Sequence, residues 1–217
     1  MKKEIDWLNH ALEFAVVLIG ILIAFQLNEC SDTNSKKELI NNHLKYIKLE
    51  CKENTARLES SIKHIEEALK NCDSLLTEIS SKKEANQVRN LSTRLLDLRN
   101  VDLVTDSYRV LTESGDIRFL EPYDKKREII TLYNGFDRVE SINESTQKIY
   151  DRHFYPYLKE NFDLANWQYI NVKSEEELQK YFAPEFANTI STYRFLLSSK
   201  LKICKNEKDM IDQYLSK

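Results

Sequence analysis

Apolar residues from Ile40 onward recur in alternating steps of three and four, a ladder that opens Ile40, Leu44, Ile47, Cys51 and closes Leu76, Ile79. That period is helical, and the single 3-4-4 insertion near Cys51 reads as one stutter in a heptad stripe. The stripe predicts one long helix packed at a shallow angle on its neighbours. Upstream the pattern changes. Phe14 to Phe25 (FAVVLIGILIAF) is apolar on every side, and extension from Trp7 to Leu27 gives about 31 Å of helix at ~1.5 Å per residue. A hydrocarbon core is about 30 Å thick, so this segment is a candidate transmembrane helix, with Trp7 at headgroup level. Between span and stripe, Asp32-Thr33-Asn34-Ser35 can loosen or cap the helix, although the stripe can also continue the span with little or no break.

Downstream, Ser80 to Lys83 reads as a turn, and a second helix is expected from about Glu84 to Leu98. Asn100 to Asp106 is a break, with Thr105 or Asp106 as N-cap of a short helix that stops at Gly115. Pro122 suits the first turn of a third long helix reaching about Leu158, kinked near Pro156. Ser174 and Glu177 form a capping box for a short helix to Phe182, and Pro184 opens a last helix striped by Phe186, Ile190, Tyr193, Leu197 and Cys204. The expected architecture is all-α: an N-terminal transmembrane helix continuing into a bundle of about four antiparallel helices. Residues 1–12 are a short flank, 13–28 the core of the span, and 29–217 the soluble bundle.

Composition supports this reading and narrows the partners. Three glycines and three prolines in 217 residues leave few turns, too few for a β-sandwich or a doubly wound sheet. Net charge is −3, which lacks the basic surplus of a nucleic-acid binder. Lys125-Lys126-Arg127 is flanked by Asp124 and Glu128 and reads as a solvated helix face.

Other readings of the apolar segment stay open. It can be a core helix of a soluble protein, or a signal peptide, although no small residues mark a cleavage site. Lipoprotein processing at Cys30 would need a small residue where Glu29 stands. Within the span, Glu13 and Gln26 are the candidate intramembrane contacts, because a carboxylate in an apolar helix is costly unless it reaches a partner or the headgroups. Cys30, Cys51 and Cys72 recur every 21 residues, so they share a helix face and are candidate inter-chain contacts; small apolar residues within a stripe are the plainer explanation. Counting Lys2 and Lys3 against Lys36, Lys37, Lys45 and Lys48 favours a cytoplasmic bundle, but long domains translocate largely regardless of charge.

Chemistry is conspicuous by what the chain lacks. There is no P-loop, dinucleotide fingerprint, nucleophile elbow or Cys-x-x-Cys. The residues three before His10, His43, His64 and His153 are Trp7, Ile40, Ser61 and Tyr150, so no Glu-x-x-His di-iron pattern exists. No enzyme activity, cofactor or metal is expected. The aromatic stretch from His153 to Tyr169 either packs a core or lines a ligand pocket at the bundle end.

Two stretches resemble a bacterial family known only as a domain of unknown function, common in Bacteroidetes. Glu13, Ile19-Gly20-Ile21-Leu22-Ile23-Ala24, Gln26 and Asn28 match its N-terminal span, although Cys30 stands where a Trp is usual and the basic leader is short. Thr105, Tyr108, Leu111, Ser114-Gly115, Ile117 and Leu120, with Tyr133 downstream, are similar to its Tyr-x-x-Leu-x-x-Ser-Gly element. The resemblance implies a single-span protein of the bacterial inner membrane with its all-α domain on the periplasmic side. The expected function is a membrane-anchored, non-enzymatic interaction or scaffold protein, oligomeric through its span and first helix. Alternatives are an extracytoplasmic small-ligand sensor acting through a partner, or an accessory subunit of a membrane complex using Glu13.

Overall fold

The computed structural model describes residues 7–165 and 174–217, with side chains from Ala11 onward; the side chains of Trp7, Asn9 and His10 at the expected span edge, and Trp167 and Tyr169 of the aromatic stretch altogether, fall outside what is described. Among the described residues the chain is helical without strands. Helix α1 runs unbroken from Trp7 to Ser81, 75 residues, or about 110 Å. The expected loosening at Asp32–Ser35 does not occur: the helix passes straight through, and the Thr33 hydroxyl donates back to the Glu29 carbonyl at 2.8 Å. Ile40, Ile47, Cys51, Leu58, Ile65, Cys72 and Ile79 of the ladder are buried, so the heptad stripe is consumed inside the chain.

Two further long helices build on that stripe, α7 (Pro184–Leu215) lying along α1 and α4 (Tyr123–Ile149) packing chiefly on α7. Ion pairs from α7 to α1 link Arg194 with Asp73, Lys205 with Glu66 (2.6 Å) and Lys208 with Glu59 (3.4 Å), so α7 runs back towards the apolar end of α1. Lys217 pairs with Glu128 and Arg138 with Glu207, which makes α4 antiparallel to α7 and parallel to α1.

The fourth limb is only partly helical. α2 covers Ala85–Arg94, ending four residues earlier than expected, and α3 covers Asp106–Glu113. Between them residues 97–105 have no regular secondary structure. The limb descends α1 by a ladder of polar contacts: His64 with the Asp97 carbonyl, Arg57 with that of Asp102, Asn54 with Val104, Glu50 with Ser107 and His43 with Asp116. Gly115 takes the left-handed backbone (φ 75°) that ends α3 before a 3-10 turn at Asp116–Phe119.

The third long helix also departs from expectation. Pro156 lacks the N–H that would bond the Arg152 carbonyl, so the helix widens into a π turn at Tyr150–Phe154 before α5 (Tyr155–Asn161). The Ser174 hydroxyl accepts from the Glu177 N–H at 3.2 Å, the predicted cap of α6 (Glu175–Lys180). Phe154, Tyr157, Phe162, Tyr181 and Phe186 stack on one another, so the described part of the aromatic stretch packs core.

A segment without helix or strand must find other partners for those of its N–H and C=O groups that are shielded from water. Each long helix supplies one. The Asn54 amide of α1 donates to the Val104 carbonyl and accepts from its N–H, both at 2.8 Å. Asn143 of α4 does the same for Val101, at 2.8 and 3.3 Å. Lys200 of α7, with no exposed surface, donates to the Arg99 carbonyl at 3.0 Å. Asn54→Ala strips both partners from Val104 and should lower stability by about 2–4 kcal/mol. In the detergent-solubilised full chain this reads as a Tm lower by roughly 5–15 °C; an unchanged Tm would show that the clamp is dispensable.

Candidate functional site: anchor helix and buried polar cradle

The first 20 or so described residues of α1 are long and apolar enough to cross a membrane, and none of that stretch is buried against the chain. Leu12, Phe14, Val16, Ile21 and Phe25 are all more than half exposed. Glu13 and Gln26 both lie on this exposed helix, 13 residues or about 20 Å apart, so the chain does not bring them together. The three regularly spaced cysteines share a face but not an environment. Cys30 is exposed, whereas Cys51 and Cys72 are sealed in the core with Cys204. Burial pushes the thiols of Cys51 and Cys72 up to about 12 and that of Cys204 up to about 11, far from thiolate reactivity. A bridge from Cys51 or Cys72 to a second copy would require the bundle to open.

Beyond the apolar segment, the polar cradle lies where α3 meets α1 and α4. Glu50 of α1 is buried, and its carboxyl accepts from the Ser107 N–H at 2.8 Å and from the Tyr133 hydroxyl of α4. Thr105 occupies the expected N-cap position but makes no cap bond. One of the free N–H groups of α3, that of Ser107, is instead met by Glu50, a carboxyl well placed against the positive end of a helix. Tyr108 stacks on Tyr133 with ring centroids 4.1 Å apart, and Tyr133 meets Phe136 edge-on at 4.8 Å. Burial, then the bond to Glu50, raises the Tyr133 phenol far above its ordinary value, so it acts as a donor and not as a base. Ser114 donates to Asp116 at 2.8 Å, and the His43 ring meets the same carboxyl at 3.1 Å. Those two contacts, Ser114 first, hold the Asp116 carboxyl below the usual range. Tyr108, Leu111, Ser114, Gly115 and Tyr133, the residues of the second resemblance, thus form the joint that docks α3 on α1 and α4.

On α7 the ladder hides two ionisable groups that an apolar reading passed over, Lys200 and Glu207. Burial pulls Lys200 down to about 8. Glu207 is 1% exposed, and burial pushes its carboxyl up to about 7 despite Arg138 at 3.7 Å. It sits where Gly135 of α4 leaves room: a Cβ there would fall on the Glu207 carboxylate. Its Oε1 and the Tyr214 hydroxyl are buried without hydrogen-bond partners. Among the described residues no group of three His, Cys, Asp or Glu is placed to hold a metal.

Fold and site together define an all-α domain carried on a long, partly apolar N-terminal helix. Residues 13–158 match the model of a family described as a family of unknown function (DUF6090), and the chain belongs to that family. No curated protein and no solved structure matches the chain.

Glu207 makes folding pH-dependent with a definite sign. Its folded value, about 7, stands above the ordinary 4.5, so the folded chain keeps a proton that the unfolded chain releases. Its contribution is fully present below about pH 4.5 and is lost as pH rises through about 7. Glu207→Gln should therefore match wild type in urea unfolding at pH 4.5 and exceed it at pH 8. At about 1.4 kcal/mol per pH unit the gap is on the order of 3 kcal/mol. A gap of the opposite sign would mean that Glu207 is ionised in the fold.

Proposed function

We propose that this chain is a membrane-anchored, non-enzymatic interaction protein of the bacterial envelope, in which the apolar part of α1 crosses the inner membrane once and the remainder carries the bundle. The observation behind this is the division of labour along α1. Its apolar stretch packs on nothing in the chain, yet the same helix continues unbroken as the central member of the bundle. Lipid is the natural solvent for such side chains, each large one gaining roughly 1.5–3 kcal/mol on leaving water. Glu13 and Gln26 sit towards the two edges of the span, where they meet headgroups or a neighbouring span. The bundle lies on the periplasmic side in this reading, and its partners are proteins, either another copy or another membrane protein, with no nucleic acid involved.

A second reading, a small-ligand sensor, has one observation in its favour. A groove of about 380 Å³ opens between α1, α2 and α7, lined by His64, Asn71, Arg94, Leu98 and Tyr193. A ligand bound there would raise Tm by mass action, whereas a pure interaction protein would give no shift across a metabolite screen.

Wild-type chain should remain in membranes after an alkaline carbonate wash, and Leu18→Lys with Ile21→Lys should release it; a washed-off wild type would sink the anchor. Sidedness is read at Ser216→Cys in a Cys30→Ser background, since Ser216 is exposed while Cys204 is buried. Labelling of intact cells by an impermeant maleimide puts the bundle in the periplasm, and labelling only after lysis puts it in the cytoplasm.

A further inference from the structure

We propose that the face of α1 turned away from the bundle pairs, in parallel and in register, with the same face of a second copy of this chain, from the apolar segment up to Leu49. This rests on the membrane-anchor reading above and specifies the partner surface.

The first ground is a helix without lateral support. From Asn28 to Leu39 every residue of α1 is exposed, a bare rod of about 18 Å between the apolar segment and the bundle. Asp32-Thr33-Asn34-Ser35 in its middle are weak helix formers. A helical stretch of this length is marginal alone in water, and most helix stability comes from packing. Among the described residues the chain brings only the Phe119 ring near it, 5.3 Å from the Lys36 Nζ at its bundle end.

The second ground is spacing. An outward series begins Val17, Ile21, Ala24 and ends Asn42, Tyr46, Leu49, stepping by threes and fours with one 4-4 step at Ser35 and Leu39. At about 100° per residue these positions share an arc roughly 80° wide, about 140° away from the buried stripe of Ile40 and Cys51. Leu39, Tyr46 and Leu49 are 41%, 59% and 52% exposed, too apolar a row to be a plain solvated face.

The third ground says what covers this face. Ten of the 26 residues from Asn28 to Glu53 are charged, yet none of the outward positions through Leu49 is. Two copies anchored in one bilayer with the same orientation set each seam residue against itself, where any charge would repel its double. A different partner could answer charge with opposite charge. A charge-free seam in a charge-dense helix fits an identical copy, with Asn28 and Asn42 as the polar seam residues that fix register.

Cys30 lies on the opposite side of α1 from this seam and is exposed, which supplies an internal control. Single cysteines at Ser31, Ser35 and Asn42, in the full chain with Cys30→Ser, are compared in native membranes with Thr33→Cys, Lys37→Cys, Lys48→Cys and native Cys30. Copper-phenanthroline with dissolved oxygen as oxidant should give dimers at the seam positions and none at the others. Dimers on both faces, dimers on neither, or cross-linking only to another protein overturns the proposal. Tyr46→Lys with Leu49→Lys should abolish the dimer in native mass spectrometry of detergent-solubilised protein while Tm is unchanged, since both side chains are exposed; a persisting dimer overturns it too. The alkaline wash separates the two readings: a monomer in washed membranes removes the pairing alone, and a washed-off chain removes both.

Discussion

The backbone from Asp97 to Thr105 runs along the bundle without helical hydrogen bonds, and the arrangement of the other elements depends on how it is gripped. Buried peptide groups left unbonded cost several kcal/mol apiece in the limit, so such a segment exists only where side chains replace the missing strand. Asn54, Asn143 and Lys200 do this from three different helices. Because each grips a fixed point on the segment, they also set the height of α1, α4 and α7 relative to one another. With the segment placed, α3 arrives with its N-terminus against Glu50 and its Tyr108 ring on Tyr133.

The same economy explains the ionisable groups in the interior. Lys200 keeps its place by donating to a backbone carbonyl, and Glu207 occupies room that only a glycine at position 135 leaves. That glycine costs about 1 kcal/mol of helix propensity against alanine, which the seat of the carboxyl makes unavoidable. The result is a closed bundle with inert thiols, anchored phenols and one carboxyl tuned towards neutrality. Its chemistry holds elements together.

Along α1 the environment changes twice without a change of secondary structure: apolar and uncovered, polar and uncovered, then buried in the bundle. One continuous helix makes these regions mechanically one piece. Anything that turns or shifts the apolar segment turns the bundle.

Periodicity and composition by themselves determined the all-α class, the long first helix, the buried ladder from Ile40 to Ile79, the Ser174 cap and the helix opening at Pro184. All of these rest on forces between residues a few positions apart, or on the face a residue occupies within its own helix. Tertiary structure alone decided the rest. The stripe that suggested pairing between chains is covered chiefly by α7 and α2 of the same chain, and Cys51 and Cys72 went inside while Cys30 stayed out. Glu50 caps a helix 57 positions away, and Asn54 pairs with backbone 50 positions away. A carboxyl or amide on a helix carries no local mark of whether water or a distant peptide will satisfy it, because that partner exists only once the chain has folded back on itself.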